Sequence, residues 1–122
     1  NNCKVLIGKT SIPQLFNLVA FSKGAIGLDS AVMHMAAILR KRTLTIFGAS
    51  SEKLYGYEEL DPGNHKVIKL PIYCRPCSAW KNANTIRVTD PMKCPDFACV
   101  TTIKVEDVYP QVVEHFGLHS EE

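Results

Sequence analysis

Residues 24–48 read GAIGLDSAVMHMAAILRKRTLTIFG, and this stretch decides the fold. Its opening run, Gly24–Leu28, is short and apolar, as in buried parallel strands. A helical pattern of apolar residues follows from Val32 to Leu39, and the β-branched and aromatic run Thr43–Phe47 predicts the next strand. The stretch therefore predicts an α/β fold: an open, mainly parallel sheet of about four to five strands with helices on both faces.

Polar residues at the end of the first predicted strand form a candidate binding site. Asp29 and Ser30 stop the strand, and either one offers an N-cap for the helix. His34 lies four residues after Ser30, so the hydroxyl and the imidazole share one helix face. Because a helix N-terminus offers unpaired N–H groups and partial positive charge, this face suits phosphate. Asp29 repels phosphate but suits sugar hydroxyls, which favours a nucleotide-sugar; the alternative is a capped helix with a half-buried histidine.

Composition and charge narrow the class of protein. The 122 residues fit one domain with a modest core, and 46% hydrophobic with 21% charged residues is typical of globular domains. The net charge of +2 gives no reason to expect nucleic acid as a partner. No apolar run approaches the roughly 18 residues of a membrane span, and the first residues form no signal peptide. We therefore expect a reducing, cytoplasmic location.

A family resemblance rests on the same central stretch. The run DSAVMHMAA at residues 29–37, followed by TIFG at 45–48, resembles the donor-binding signature D-[S/T]-G-x-x-H-[L/I/M]-A-A and F-G strand of glycosyltransferase family nine. These are the ADP-heptose:lipopolysaccharide heptosyltransferases and their relatives. Upstream, GKTSIPQL at residues 8–15 resembles the family's G-x-T-S-L-x-E-L step. Ala31 departs from the pattern where glycine is usual, and Arg42 departs from it where proline is usual.

The resemblance implies that residues 1–122 form the Rossmann-like, C-terminal half of a two-domain GT-B enzyme. It implies an inverting transfer of heptose, or a similar sugar, from a nucleotide-sugar such as ADP-heptose to a lipopolysaccharide core acceptor. The implied enzyme is bacterial, and cytoplasmic or peripheral at the inner membrane. Its proposed catalytic base lies in an N-terminal acceptor domain, so we expect no catalytic residue and no activity in this chain alone. We also expect no required cofactor, because the helix-terminal amides can take the role usually given to a cation.

The expected donor-binding residues come from the family pattern and from neighbouring turns that should meet at the same crevice. They are Lys9, Thr10, Ile12, Asp29, Ser30, Ala31, His34 and Ser50. A rival interpretation is a non-catalytic, cysteine-stapled interaction module derived from the same fold. Ala31 and the absent acceptor half favour that rival, whereas the D-S-x-x-x-H run and the intact F-G strand oppose it.

Two cysteine pairs lie in the segment 74–99. Cys74 and Cys77 have C-x2-C spacing, and Cys94 and Cys99, after a gap of sixteen residues, have C-x4-C spacing. Four thiolates suit tetrahedral zinc, and the spacing approaches that of a structural zinc site, although the second pair is wider than usual. Reduced thiols and disulfides are the alternatives. Cys3 stands apart in CKVLI, which predicts a short buried strand and an inert core cysteine.

Flanking elements complete the predicted domain. Ser11 should cap a helix whose apolar stripe lies in the core, at Ile12, Leu15, Phe16 and Val19. His65 directly follows a turn and is expected to be exposed, and Lys66–Leu70 predicts an edge strand. A closing helix is expected over residues 105–117, with an acidic first turn and a terminal glycine.

Overall fold

The chain folds around a parallel sheet. A computed structural model describes residues 3–77 and 94–118, and in these residues three strands lie in the order β1-β2-β3, all parallel. Along the chain the elements are α1 (Ile12–Phe21), β1 (Gly24–Leu28), α2 (Ala31–Ile38), β2 (Arg42–Phe47), α3 (Glu52–Tyr55), β3 (His65–Lys69), α4 (Ala98–Thr101) and α5 (Val105–Phe116). The described sheet has fewer strands than expected, but the predicted α/β class is confirmed.

Strand β2 lies between the other two strands and forms the centre of the core. Leu44 pairs with Ile26 of β1 on one side and with Lys66 of β3 on the other. Because β2 has neighbours on both edges, nearly every residue from Thr43 to Phe47 is buried. β1 has one such neighbour in the described sheet, and Ile26 and Leu28 are 52% and 56% exposed. The strand is confirmed, but its predicted burial is wrong at these residues.

Helices α2 and α5 cover opposite faces of β1. A side chain added at Gly27 would meet Met33 of α2, and one added at Gly24 would meet Phe116 of α5. Successive strand residues point to alternate faces, so these two glycines, three residues apart, face opposite ways. The expected placement of helices on both faces is therefore confirmed.

The N-terminal segment does not form the predicted strand. Residues 3–11 precede α1 without regular structure, and a hydrogen bond from the Lys9 N–H to the Leu6 carbonyl closes a turn there. Gly8 adopts a left-handed φ of 69°, which breaks any extended run. Ile7 is 89% exposed, and Cys3 is exposed as well. The buried strand Cys3–Ile7 and the core role of Cys3 are both wrong, because the chain turns before it can pair with the sheet.

Helix α1 begins where the sequence predicts but exposes much of its apolar stripe. Ser11 and Gln14 form a capping box, in which each side chain accepts a hydrogen bond from the other residue's backbone N–H. Val19 is buried, whereas Ile12 is 73% exposed and Phe16 is partly exposed. The predicted core stripe is wrong for the first turns, because α1 packs mainly on α2 rather than on the sheet.

Helix α5 is the predicted closing helix and is tied to β2 by polar contacts. It ends at Gly117, which takes the left-handed conformation common at helix C-termini. Arg42 Nη1 donates a hydrogen bond of 2.6 Å to the His115 carbonyl oxygen, and His115 Nε2 lies 3.0 Å from the Thr43 carbonyl oxygen.

In the part of the chain that the structure describes, no helix is both long and apolar enough to cross a bilayer.

Candidate functional site

The carboxyl ends of β1 and β2 bring two predicted site residues together. Asp29 directly follows β1, and Ser50 lies in the turn after β2. Ser50 Oγ donates a hydrogen bond of 2.8 Å to Asp29 Oδ2. Ser50 is 7% exposed, so it holds the Asp29 carboxylate from the interior of the protein. The Asp29 side chain itself is 22% exposed. The bond orients Asp29 and leaves its other oxygen, Oδ1, facing the neighbouring helix.

His34 of α2 completes this arrangement. Its Nε2 lies 3.6 Å from Asp29 Oδ1, and its Nδ1 lies 2.8 Å from the Tyr57 hydroxyl oxygen. The first distance is too long for a hydrogen bond, whereas the second is typical of one. When Tyr57 donates to Nδ1, the neutral ring carries its proton on Nε2, which faces Asp29. Sequence reasoning missed Tyr57, because no motif links its loop to α2.

The N-terminus of α2 lies directly beside Asp29. Ser30 occupies the N-cap position in an extended conformation, and its carbonyl accepts hydrogen bonds from the Met33 and His34 N–H groups. Its side chain makes no capping hydrogen bond. Ala31, the first helical residue, is exposed. The alternative of a side-chain cap is therefore wrong for Ser30, and its hydroxyl lies at the surface next to the start of the helix.

Other expected donor-binding residues lie on a different part of the surface. Lys9 and Thr10 line a depression against α1, together with Leu6 and Phe21. Ile12 projects from the first turn of α1 and is largely exposed. These residues were expected at the sheet edge because a strand was predicted before them, and that strand does not form. Their role in donor binding stays a prediction.

A hollow of about 360 Å³ opens beside His34. Its walls come from α2, from α3 and from the loop before β3, and they mix acidic, basic, aromatic and aliphatic side chains. The lining residues include His34, Glu52, Lys53, Tyr55, Tyr57, Glu59 and Leu60. The polar lining offers hydrogen-bond donors and acceptors to a ligand that carries hydroxyl groups.

An ion cluster holds the turn after β2 in place. The Arg75 guanidinium, 5% exposed, donates to the Gly48 and Ser50 carbonyl oxygens and pairs with Glu52 at 3.2 Å. Glu52 also pairs with Lys69 at the end of β3. Burial acts to raise the pKa of Glu52, but the hydrogen bond from Lys69 and the charges of Lys69 and Arg75 outweigh it and hold that pKa below its ordinary value. The cluster thereby positions the Ser50 backbone, and with it the hydroxyl of the site.

His65 is buried, so the prediction that it is exposed is wrong. It is 7% exposed, its Nδ1 lies 2.8 Å from Thr43 Oγ1, and the Tyr57 ring packs against it. Burial lowers the pKa of His65; Asp61 opposes this shift and His115 adds to it. The sequence signal failed because His65 is not part of the turn but the first residue of β3, paired with Thr43.

The two cysteine pairs both approach the turn after β2. The Cys77 N–H donates to the Ala49 carbonyl at 2.9 Å, and Cys99 Sγ lies against Gly48. Cys77, Cys94 and Cys99 are not joined by disulfides in the structure. Burial raises the pKa of the Cys99 thiol, and the neighbouring thiols of Cys74 and Cys94 raise it further.

The four cysteines predicted to bind zinc are suitable donors, but their side chains are not grouped as metal ligands in the structure. Among residues 3–77 and 94–118, no three cysteine, histidine or acidic side chains already stand around one point as metal ligands would. Residues 78–93, which link the two pairs, lie outside the described residues.

Comparison with known proteins agrees with the central motif. Residues 1–86 match the family model described as glycosyltransferase family 9 (heptosyltransferase). The chain is 31% identical over 108 residues to lipooligosaccharide heptosyltransferase 2 of Campylobacter jejuni subsp. jejuni serotype O:2. That match covers 88% of this chain but 30% of the relative, so the chain spans less than a third of the relative's length. No solved structure matches the chain.

Proposed function

Because the chain belongs to glycosyltransferase family 9, we propose that it forms the donor-binding part of a heptosyltransferase-like enzyme. The donor is a nucleotide-activated heptose or similar sugar, with ADP-heptose the first candidate, and the acceptor is a lipopolysaccharide core at the inner membrane of a bacterium. The acceptor hydroxyl displaces the nucleoside diphosphate at the anomeric carbon and inverts its configuration. We assign the catalytic base and the acceptor cleft to an acceptor domain outside this chain, and so expect no transfer by this chain alone.

The contact between Ser50, Asp29 and His34 carries this proposal. Ser50 holds one oxygen of Asp29 from within the protein, while the carboxylate remains partly exposed at the carboxyl ends of two parallel strands. Ligands of open α/β sheets bind outside these strand ends. A carboxylate fixed in this way accepts hydrogen bonds from sugar hydroxyls, and it disfavours a phosphate at the same point because like charges repel.

The leaving diphosphate is assigned to the start of α2. Ser30 is the N-cap of α2 and its hydroxyl makes no capping hydrogen bond. The first N–H groups of the helix lie at the end that carries partial positive charge. In the tautomer in which Tyr57 donates to Nδ1, the neutral His34 ring carries its proton on Nε2, 3.6 Å from Asp29 Oδ1, and we assign this proton to the diphosphate. Donors that are already in place stabilise the negative charge that the diphosphate gains as the glycosidic bond breaks. On this account no cofactor is required, since the amides and the imidazole take the role usually given to a cation.

An NMR titration of the labelled chain with ADP and with an ADP-sugar tests the proposal. We expect ADP to bind with a dissociation constant on the order of 0.1–1 mM, about −4 to −5.5 kcal/mol. His34→Ala should weaken ADP binding by roughly 1–2 kcal/mol, the range for a charge-assisted hydrogen bond. Asp29→Ala should leave ADP binding intact and weaken only the ADP-sugar.

Asp61→Ala is the matched control, because Asp61 is a carboxylate in the surface turn before β3. It should leave both titrations unchanged. If ADP perturbs amides elsewhere and spares those of Ser30 and His34, the donor site is misassigned and the non-catalytic interaction module becomes the better description. If Asp29→Ala and His34→Ala weaken both ligands equally, the division of roles between sugar and phosphate is wrong.

A further inference from the structure

The four cysteines near the C-terminal end of β2 point to a second site that is independent of donor binding. We propose that Cys74, Cys77, Cys94 and Cys99 bind a thiophilic divalent cation, zinc in the first instance. The cation would fasten the C-terminal part of the chain to the turn after β2. Three observations support this site: the anchoring of the first pair, the convergence of the second pair on the same turn, and the local backbone at Cys94.

Hydrogen bonds from Arg75 and from Cys77 anchor the first pair to the turn after β2. Arg75, between the two cysteines, donates to two carbonyl oxygens of the segment Gly48–Ser50. The Cys77 N–H donates to the Ala49 carbonyl oxygen at 2.9 Å. Cys74 is 9% exposed. Both sulfurs are therefore carried by backbone that is fixed against the end of the central strand.

The second pair follows residues 78–93 in the sequence and approaches the same turn through Cys99. Cys99 Sγ lies 3.7 Å, and Val100 Cγ1 3.3 Å, from the point that a Cβ at Gly48 would occupy. The fold thus holds Cys77 and Cys99, from distant parts of the sequence, at one turn. Part of the loop-closure entropy of assembling the ligands is therefore lost on folding rather than on metal binding.

The backbone after Cys94 prepares its sulfur for a metal. The Phe97 N–H donates to Cys94 Sγ at 3.4 Å, and Phe97 has a left-handed φ of 50°. Cys99 follows on the first turn of α4. An N–H donor stabilises negative charge on sulfur, and outer hydrogen bonds of this kind orient metal-bound ligands.

The chemistry of the donors selects the cation. Four sulfurs favour zinc or another soft divalent metal over magnesium or calcium, which prefer oxygen. Since no three such side chains within the described ranges yet surround one point, the thiols must rotate toward a common centre when the cation enters. Rotation about the single side-chain torsion of a cysteine moves its sulfur without moving the backbone.

Cobalt substitution of the whole 122-residue chain tests the site. The protein is reduced, stripped of metal and titrated with Co²⁺, whose thiolate complexes give charge-transfer absorption and strong tetrahedral d–d bands. We expect these bands to saturate near a single equivalent and to disappear when Zn²⁺ is added. Zn²⁺ should also protect the four thiols, but not Cys3, from alkylation.

Substitutions locate the ligands. Cys77→Ser and Cys99→Ser should each weaken zinc binding by more than the roughly 10–100-fold that loss of an outer partner costs. Cys3→Ser is the matched control, because Cys3 is an exposed thiol of the N-terminal segment, and it should leave binding unchanged.

The cobalt spectrum of the wild-type chain tests the metal site even where a variant fails to fold. Absence of thiolate–cobalt bands, together with equal alkylation of all cysteines with and without Zn²⁺, overturns the site. So does a disulfide that joins the two pairs in the oxidised protein and leaves zinc binding unaffected.

Discussion

Tyr57 lies between two histidines whose surroundings are opposite. The ring centroids of His34 and His65 lie 5.7 Å and 5.5 Å from that of Tyr57. The side chain of His34 is 37% exposed and lies near the carboxylate of Asp29. His65 is 7% exposed and bonds to the Thr43 hydroxyl. One imidazole is therefore open to a ligand, and the other is satisfied within the core.

The difference shows that strand ends, rather than residue types, mark the site. An aspartate precedes each histidine by a few residues in the sequence, Asp29 before His34 and Asp61 before His65. Asp29 follows a strand at its carboxyl end, where parallel sheets bind ligands. Asp61 lies in the turn that leads into the amino end of β3. The same pair of residue types forms a candidate site in one place and part of the framework in the other.

The largest expected effect separates the two histidines by stability. His65→Ala should lower the free energy of unfolding by about 2–3 kcal/mol, because it leaves a cavity and strands the buried Thr43 hydroxyl. His34→Ala should change it by less than about 1 kcal/mol, because the side chain is partly exposed. Urea unfolding followed by circular dichroism measures both. Equal losses in the two variants would show that His34 is as much a part of the core as His65.

A smaller effect should appear in the dependence of stability on pH. Burial depresses the pKa of His65 in the folded chain below the ordinary 6.5. As the pH falls below about 6.5, the unfolded chain takes up the proton first, so stability declines until the pH passes the folded pKa. Glu52 also has a depressed pKa, but its contribution is lost only at lower pH, below its ordinary value of 4.5.

Unfolding free energies measured at intervals from pH 8 to pH 5, about three pH units in all, separate these contributions. His65→Gln should remove much of the decline that begins near pH 6.5, whereas His34→Ala should retain it. A decline of the same size in His65→Gln and in the wild type would assign it to another group.

The smallest effect concerns Tyr57, whose ring lies between the two histidines. Tyr57→Phe keeps both ring contacts but removes the hydroxyl that bonds to His34 Nδ1. Affinity for an ADP-sugar should fall about two- to fivefold, which corresponds to a neutral hydrogen bond of about 0.5–1 kcal/mol. Calorimetric titration measures this loss. Tyr55→Phe, in the same hollow, is the control and should bind as the wild type does; equal losses in both variants would deny Tyr57 a specific role.

The local sequence determined the elements whose signals are local. Glycine, β-branched residues and helical spacing predicted β1, α2 and β2, because each element is set by dihedral preferences and side-chain periodicity along a few residues. The Ser11 cap and the end of α5 at Gly117 were predictable for the same reason. The position of Asp29 and His34 at a strand end follows directly from that order of elements.

The tertiary structure decided which residues are buried and which distant residues contact each other. The apolar run before Gly8 resembles a strand but turns away from the sheet and is exposed, whereas His65 resembles a turn residue but is buried by pairing with β2. Ser50 meets Asp29, Tyr57 meets His34, and Arg75 reaches the turn after β2 across long sequence separations. Local patterns hold no information about which distant segment becomes a neighbour, and burial depends on that neighbour. For this reason the sequence indicates the strand end at which the candidate site lies, while the contacts that orient its side chains are decided only when the chain folds.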